Sequence, residues 1–389
     1  MRSSRAVILC LLGLFATAYS ITTFYWFGLP QDGQLKNRLG RIIADDFISF
    51  YAAGRLAVSG TPEYAYSSTA LTEAMSQAAG ESVSYIPWAY PPHVLLALVP
   101  IGNVEPIAAY WLWLAFFTAC GVGAAILTYR SWLSAIFAVL FPGFSLSILF
   151  GQNGTLSALL LAIVFTASRS RPIVAGIALG LLTFKPQFLI GTSFYALVDR
   201  SFRVFIIAVA TGIACAAAVA IVWKIELWSA FLGALDRQTT YTLLRILNPT
   251  RSITPAGFAL ALYSPRWLVY VTWIVIAIVS AALARRLWVG ADEPLSRGLA
   301  LSSVVILATP YAFEYDLAIM GLPGVLALQK VMQHRCLDRF ASLVLCVCVL
   351  LPAVHGVIAI WIRLPIASPV ILGLLVTAYI RSVRAVDHK

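Results

Sequence analysis

The sequence is short of charge, short of histidine and without a nucleotide-binding fingerprint. Asp, Glu, Lys and Arg make up 11% of its 389 residues, where a soluble globular domain carries about 25%. That shortage excludes a water-soluble enzyme. A disordered chain is excluded as well, because 61% of the residues are hydrophobic. There is no Walker-type loop and no dinucleotide motif. Of the four histidines, His334, His355 and His388 have no companion motif. The cysteines Cys10, Cys120, Cys215, Cys336, Cys346 and Cys348 nearly all lie in apolar runs, where Cys acts as a small hydrophobe. Cys346-Val347-Cys348 lacks the further ligands that a zinc site needs. No disulfide, metal or cofactor is expected. The net charge of +11 does not point to nucleic acid. In a chain this apolar, excess Lys and Arg marks cytoplasmic loops.

What is abundant is apolar length. Runs occur at about 6–25, 94–128, 132–150, 155–168, 172–184, 187–198, 204–223, 267–284, 298–309, 315–329, 340–360 and 366–380. They predict an all-α polytopic membrane protein of about 12 helices, a single unit over 1–389. Several runs are too short to cross about 30 Å if straight. These are expected to be broken or re-entrant, which is tolerated where protein covers the backbone. Arg2 and Arg5 precede the first run. Ala16-Thr17-Ala18 resembles a signal cleavage site, but the apolar stretch continues through Phe27, which suits an uncleaved anchor.

Charge orients the chain. With the N-terminus inside and twelve alternations, the inside segments carry 16 basic and 5 acidic residues, the outside ones 11 of each. This is the positive-inside bias, and it puts both termini in the cytoplasm. Merging 172–198 into one helix would move Arg200 and Arg203 to the wrong side, so two short segments with a turn at Lys185-Pro186 are preferred. Two outside segments are long, 26–92 and 224–266. The first predicts amphipathic interface helices, one beginning near Asp45-Asp46 and one over Ser67–Ala79 with Ser67-Ser68-Thr69 as its cap.

The polar residues collect on the outer side. They are Asp45-Asp46, Tyr90-Pro91-Pro92-His93, Gly151-Gln152-Asn153-Gly154, Lys185-Pro186-Gln187, Asn248 to Arg251, and Thr309 to Asp316. Each has an ordinary reading beside a functional one. Asp45-Asp46 also suits an N-cap pair, the Tyr-Pro-Pro and Gly-Gln-Asn-Gly segments also suit turns, and His93 suits a packed imidazole. Lys185 has no acidic residue within ten positions, and burying an unpaired ammonium is expensive. It either snorkels to the headgroups or meets an anionic ligand.

Asp46-Phe47 followed by Tyr51-Ala52-Ala53 and Gly60-x-x-x-Tyr64 resembles the first-loop motif of the glycosyltransferase family 87 membrane proteins, of the GT-C superfamily. Tyr90-Pro91-Pro92, Gly151-Gln152-Asn153, Gly176 with Lys185-Pro186, and Thr309-Pro310-Tyr311 stand in that family's order, over roughly residues 40 to 330. The resemblance implies a GT-C-type helical bundle and a polyprenyl-phosphate sugar, commonly mannose, as donor. It implies a lipid or glycan acceptor, a site on the non-cytoplasmic side of the cell membrane, and a catalytic carboxylate at Asp46, with Asp45 as runner-up. One departure stands out. Many members carry a His where this chain reads Phe313-Glu314-Tyr315-Asp316, so Asp316 is expected to bind acceptor hydroxyls or to pair with Lys185 or Arg251.

An inverting displacement needs a base for the acceptor hydroxyl, assigned to Asp46, and fixed cations for the departing phosphate, assigned to Lys185 and Arg251. Tyr90, His93, Gln152, Asn153, Tyr311, Tyr315 and Asp316 are the expected substrate contacts. Trp88, Trp111 and Trp113 are candidates for the lipid groove. The rival reading is a lipid or sugar flippase, which would favour an inverted repeat. None is found in the sequence.

Overall fold

The computed structural model describes residues 2–31, 33–199, 201–244, 249–262, 265–290, 293–333 and 338–387. Asn248, His334, Cys336 and His388 lie outside the described residues. Among those described the fold is all-helical, with only isolated β-bridges such as Ser252–Phe313.

Six described helices are long and apolar enough to cross a membrane: Ala6–Gly28, Pro106–Thr128, Phe202–Trp223, Arg266–Gly290, Arg339–Ile362 and Ala367–Arg384. A seventh arises if Trp132–Leu140 and Pro142–Leu149, bent by 50°, form one span. The bend falls where Pro142 has no N–H to give the preceding turn. The twelve apolar runs therefore do not yield twelve full-length spans. A 14-residue helix rises only about 21 Å, short of the roughly 30 Å hydrocarbon core. Gly154–Ala167 and Pro294–Leu307 are of that length. The second has 12 of its 14 residues buried. Such helices are sheathed by longer ones, which present Leu14, Ile213, Ile278 and Trp361 to the outside. The chain is a membrane protein by this composition and length.

Two apolar runs divide. The 94–128 run breaks into His93–Gly102 and Pro106–Thr128. The 172–198 stretch breaks into Pro172–Leu181 and Leu189–Val198, with short 3-10 turns on either side of Lys185. Gly176 and Gly180 press on the Phe202–Trp223 helix, where an added Cβ would stand 2.6 Å from Ile207 and 2.5 Å from Thr211. Small residues let the two backbones approach.

The long segment 26–92 differs from the expectation. Its first helix, Asp45–Val58, is not amphipathic on a surface. Nine of its 14 residues are buried, including Phe47 through Gly54. It packs on His93–Gly102 at a crossing where Gly54 would place a Cβ 2.8 Å from the Leu98 carbonyl. Aromatic rings of Trp88, Tyr90 and Trp113 cover its other side through Phe50. The second helix forms over Ser68–Ala79, with Ser67 Oγ accepting from the Ala70 N–H at 3.4 Å as its cap and with Leu71 and Met75 buried.

At the end of the bundle away from these loops, charges tie the helix termini together. Lys330 pairs with Glu293 and with Asp338, the latter at 2.8 Å, and Arg381 reaches Asp338 at 3.5 Å. Asp338 also caps the Arg339–Ile362 helix by accepting from the Phe340 and Ala341 N–H groups, both at 3.0 Å. Burial alone would raise its pKa, but the Lys330 hydrogen bond, the amide and the neighbouring cations bring it down to about 2. A carboxyl depressed on folding stabilises the folded state above its ordinary value and loses that contribution as pH falls through the folded one. Asp338→Ala is expected to lower stability by about 1–2 kcal/mol, measured as thermal unfolding in detergent. The difference from wild type should be full above about pH 4 and shrink towards pH 2.

Candidate active site

The loop Gly151-Gln152-Asn153 and the start of the Asp45–Val58 helix are joined backbone to backbone. The Asp46 N–H donates to the Phe150 carbonyl at 3.1 Å. Gly151 has φ +68°, and a Cβ there would lie 2.5 Å from the Phe47 backbone nitrogen. Only glycine satisfies both demands. Ala44, directly before the helix, adopts φ 50°, a left-handed conformation uncommon for a residue with a Cβ. The junction fixes the first helical turn, and with it Asp46, over the loop.

Eight of the sequence-predicted residues line one polar cavity of about 140 Å³: Asp46, Tyr90, Gln152, Lys185, Arg251, Tyr311, Tyr315 and Asp316. They come from six separate parts of the chain. Gln152 Nε2 donates to Asp46 Oδ2 at 2.8 Å, and the Tyr90 hydroxyl donates to Gln152 Oε1 at 3.0 Å. Lys185 is 4% exposed and Asp316 2%, and the ammonium meets Asp316 Oδ1 at 2.5 Å. Lys185 therefore does not snorkel. Of the two cations expected as partners for Asp316, Lys185 is the one it meets. The Phe313 N–H donates to its other oxygen at 3.2 Å. Arg251 donates from Nε to Glu314 Oε1 at 2.9 Å and lies over the Phe150 ring at 4.6 Å.

The cavity thus holds two cations, each already paired with a carboxylate, and one carboxylate held by a neutral amide. That carboxylate is Asp46. Its burial raises the pKa to about 6, against the downward pull of the Gln152 hydrogen bond, Arg251 and Lys185. Asp46 is therefore more basic than an ordinary aspartate. Burial lifts the phenols of Tyr90, Tyr311 and Tyr315, Tyr311 to about 12. All three keep their protons at neutral pH.

Three expected residues sit elsewhere. Asp45 is exposed and does not line the cavity. His93 and Asn153 line a second, apolar cavity of about 810 Å³, which shares Phe184 with the polar one. Asn153 lines the apolar cavity while Gln152 lines the polar one, and the Asn153 side chain still interacts with Tyr90. Trp113 lines the apolar cavity, Trp88 is fully buried among aromatic rings, and Trp111 is exposed. Sequence reasoning grouped Gln187 with the polar residues but gave it no role; it accepts from the Tyr311 hydroxyl at 3.4 Å while its carbonyl accepts from Thr309 Oγ1 at 3.1 Å. Nor did it single out Glu314, the partner of Arg251. A polar residue following Lys185-Pro186 inside an apolar run was the signal for Gln187.

A polar cavity with two paired cations and a carboxylate held by a neutral amide, in a chain with helices long enough to cross a membrane, is a setting suited to group transfer by a membrane enzyme. The family model of glycosyltransferase family 87 matches residues 88–310, more than half of the chain, and the chain belongs to that family. It is a membrane glycosyltransferase, an enzyme that transfers sugar from a donor to an acceptor. The matched stretch contains Tyr90, Gln152, Lys185 and Arg251, whereas Asp46 and the segment from Tyr311 to Asp316 lie outside it. The comparisons with curated proteins and with solved structures return no match.

Proposed function

We propose that the chain moves a hexose, mannose by its family resemblance, from a polyprenyl-phosphate donor to an acceptor hydroxyl, with inversion at the anomeric carbon. The observation that carries this reading is the charge arrangement of the polar cavity, with Asp46 as its one lining carboxylate free of a cation partner. The acceptor oxygen bonds to the anomeric carbon as the bond from that carbon to the phosphate oxygen breaks. The acceptor proton passes to Asp46. The phosphate leaves with its electron pair, and Lys185 and Arg251 balance the charge. A single displacement inverts the centre.

Tyr90, Tyr311, Tyr315 and Gln152 serve the sugar as hydrogen-bonding groups. The apolar cavity takes the polyprenyl tail, and its volume falls within the roughly 300–1,000 Å³ common for ligand pockets. His93 and Asn153 then stand beside the lipid rather than the sugar. Asp316 acts through Lys185 rather than on the acceptor. In the twelve-run topology the six or seven long helices span alone, and the short ones cross inside them as a covered inner layer. Parity and charge then place both termini in the cytoplasm of a cell-membrane protein, with the cavity facing outwards.

The test is transfer by purified protein in liposomes. Labelled mannose is supplied on a polyprenyl phosphate or on a nucleotide, and the product linkage is read by NMR. Transfer from the polyprenyl donor alone, with inverted configuration, is expected. Transfer from the nucleotide donor, or retention, defeats the reading. Movement of the lipid across the bilayer without any transfer favours the flippase instead.

A further inference from the structure

Asp46 presents two carboxylate oxygens, and Oδ2 is taken by Gln152. The amide that takes it is itself oriented, because its carbonyl oxygen accepts from the Tyr90 hydroxyl. Reversing the amide would set its oxygen against an acceptor-only carboxylate and lose that bond, so the N–H faces Asp46 and the oxygen faces the Tyr90 hydroxyl. Tyr90 is held in turn by ring contacts, its centroid 4.9 Å from Phe50 and 5.0 Å from Trp88. The loop backbone is fixed by Gly151 and by the Phe150 carbonyl. The arrangement is a relay anchored at its far end in the aromatic core.

We infer that Gln152 is a positioning residue that aims Asp46, with Tyr90 as its anchor, so that Oδ2 is occupied and Oδ1 is the oxygen left for the acceptor proton. The inference rests on the reading of Asp46 as the base. It gives Gln152 and Tyr90 a task beyond sugar contact. A neutral donor on one oxygen keeps the other ionised without cancelling its charge, as a Lys or Arg would. The amide therefore lowers the carboxyl's pKa without reducing it to a spectator in an ion pair.

The other groups acting on Asp46 are accounted for. Arg251 and Lys185 lower its pKa, and Asp45 raises it. Tyr315 and Tyr90 face it from other elements and stay protonated. Removing the amide leaves burial opposed by the two cations alone, so Asp46 becomes harder to ionise.

The experiment follows the Asp46 carboxyl in two ways. One is the infrared band of its protonated form, identified by its disappearance in Asp46→Asn. The other is the pH dependence of sugar transfer. In wild type the band should titrate near pH 6, and transfer should fall as pH falls through the same region. Gln152→Ala should move both upward by roughly one pH unit or more, the range expected for losing a hydrogen bond to a charged group. Tyr90→Phe keeps the amide but frees it, and should move both the same way by less. Tyr90→Phe, the milder change, gives the answer if Gln152→Ala does not fold. If the variants scale activity equally at every pH and leave the band where it is, Gln152 is a packing residue and the inference falls. If the band moves while transfer survives Asp46→Asn, the relay stands as geometry, and it is the assignment of the base that fails.

Discussion

Asp46→Asn is expected to reduce sugar transfer by about 10²- to 10⁴-fold, the contribution of a positioned proton acceptor, with expression and thermal unfolding unchanged. The volumes match, and an asparagine oxygen can still accept from Gln152 Nε2, so the relay and the packing of the Asp45–Val58 helix survive. What disappears is the ability to take a proton. Asp45→Asn is the matched control. Asp45 is an exposed residue of the same first turn and does not line the cavity, so it should retain transfer within a few fold. Both variants lose one negative charge beside Arg251, since each carboxylate interacts with that guanidinium. A general electrostatic role would affect them alike, and a role in proton transfer would affect Asp46 alone. Single-turnover transfer at saturating donor separates these cases. Equal losses in the two variants would remove Asp46 from the chemistry, and a loss confined to Asp45→Asn would reverse the assignment.

How much of this was legible in the sequence depends on the kind of signal. Low charge and long apolar runs carried the class of fold, because lipid exposure acts on composition along the whole chain. The number of full spans was not legible. A 14-residue apolar run reads the same whether it crosses alone or hides inside a bundle, and burial such as that of Pro294–Leu307 arises only in three dimensions. The same holds for the Asp45–Val58 helix, whose buried far side depends on Trp88 and Trp113 from later in the chain. Lys185 was legible as an anomaly, a cation without a nearby partner. Asp316 is 131 positions away, and no local pattern connects them. Gln152 and Asn153 were legible as a polar turn, while the meeting of Gln152 with Asp46, 106 positions away, was not. Glu314 went unplaced because a single acidic residue beside Asp316 carries no signal of its own, and its meaning comes from Arg251.

The Lys185–Asp316 pair should show the second large effect, and it separates structure from function. Removing one partner of a buried ion pair leaves the other uncompensated, at a cost of about 3–5 kcal/mol. Lys185→Met and Asp316→Asn are each expected to lower the unfolding temperature sharply. Asparagine is chosen because its oxygen can still accept from the Phe313 N–H, so that only the charge is lost. The double variant Lys185→Met/Asp316→Asn carries neither charge. Replacing a buried pair by uncharged groups is often neutral for stability, so the double variant should recover most of what each single change loses. Sugar transfer should not recover with it. If Lys185 balances the phosphate as the donor leaves, no repacking restores that cation, and the double variant stays as inactive as Lys185→Met. A double variant that regains transfer along with stability would make the pair a structural pin and leave Arg251 as the cation of the site. The decisive quantity is the difference between the two recoveries, because both are measured on the same purified protein and only one depends on charge at the phosphate.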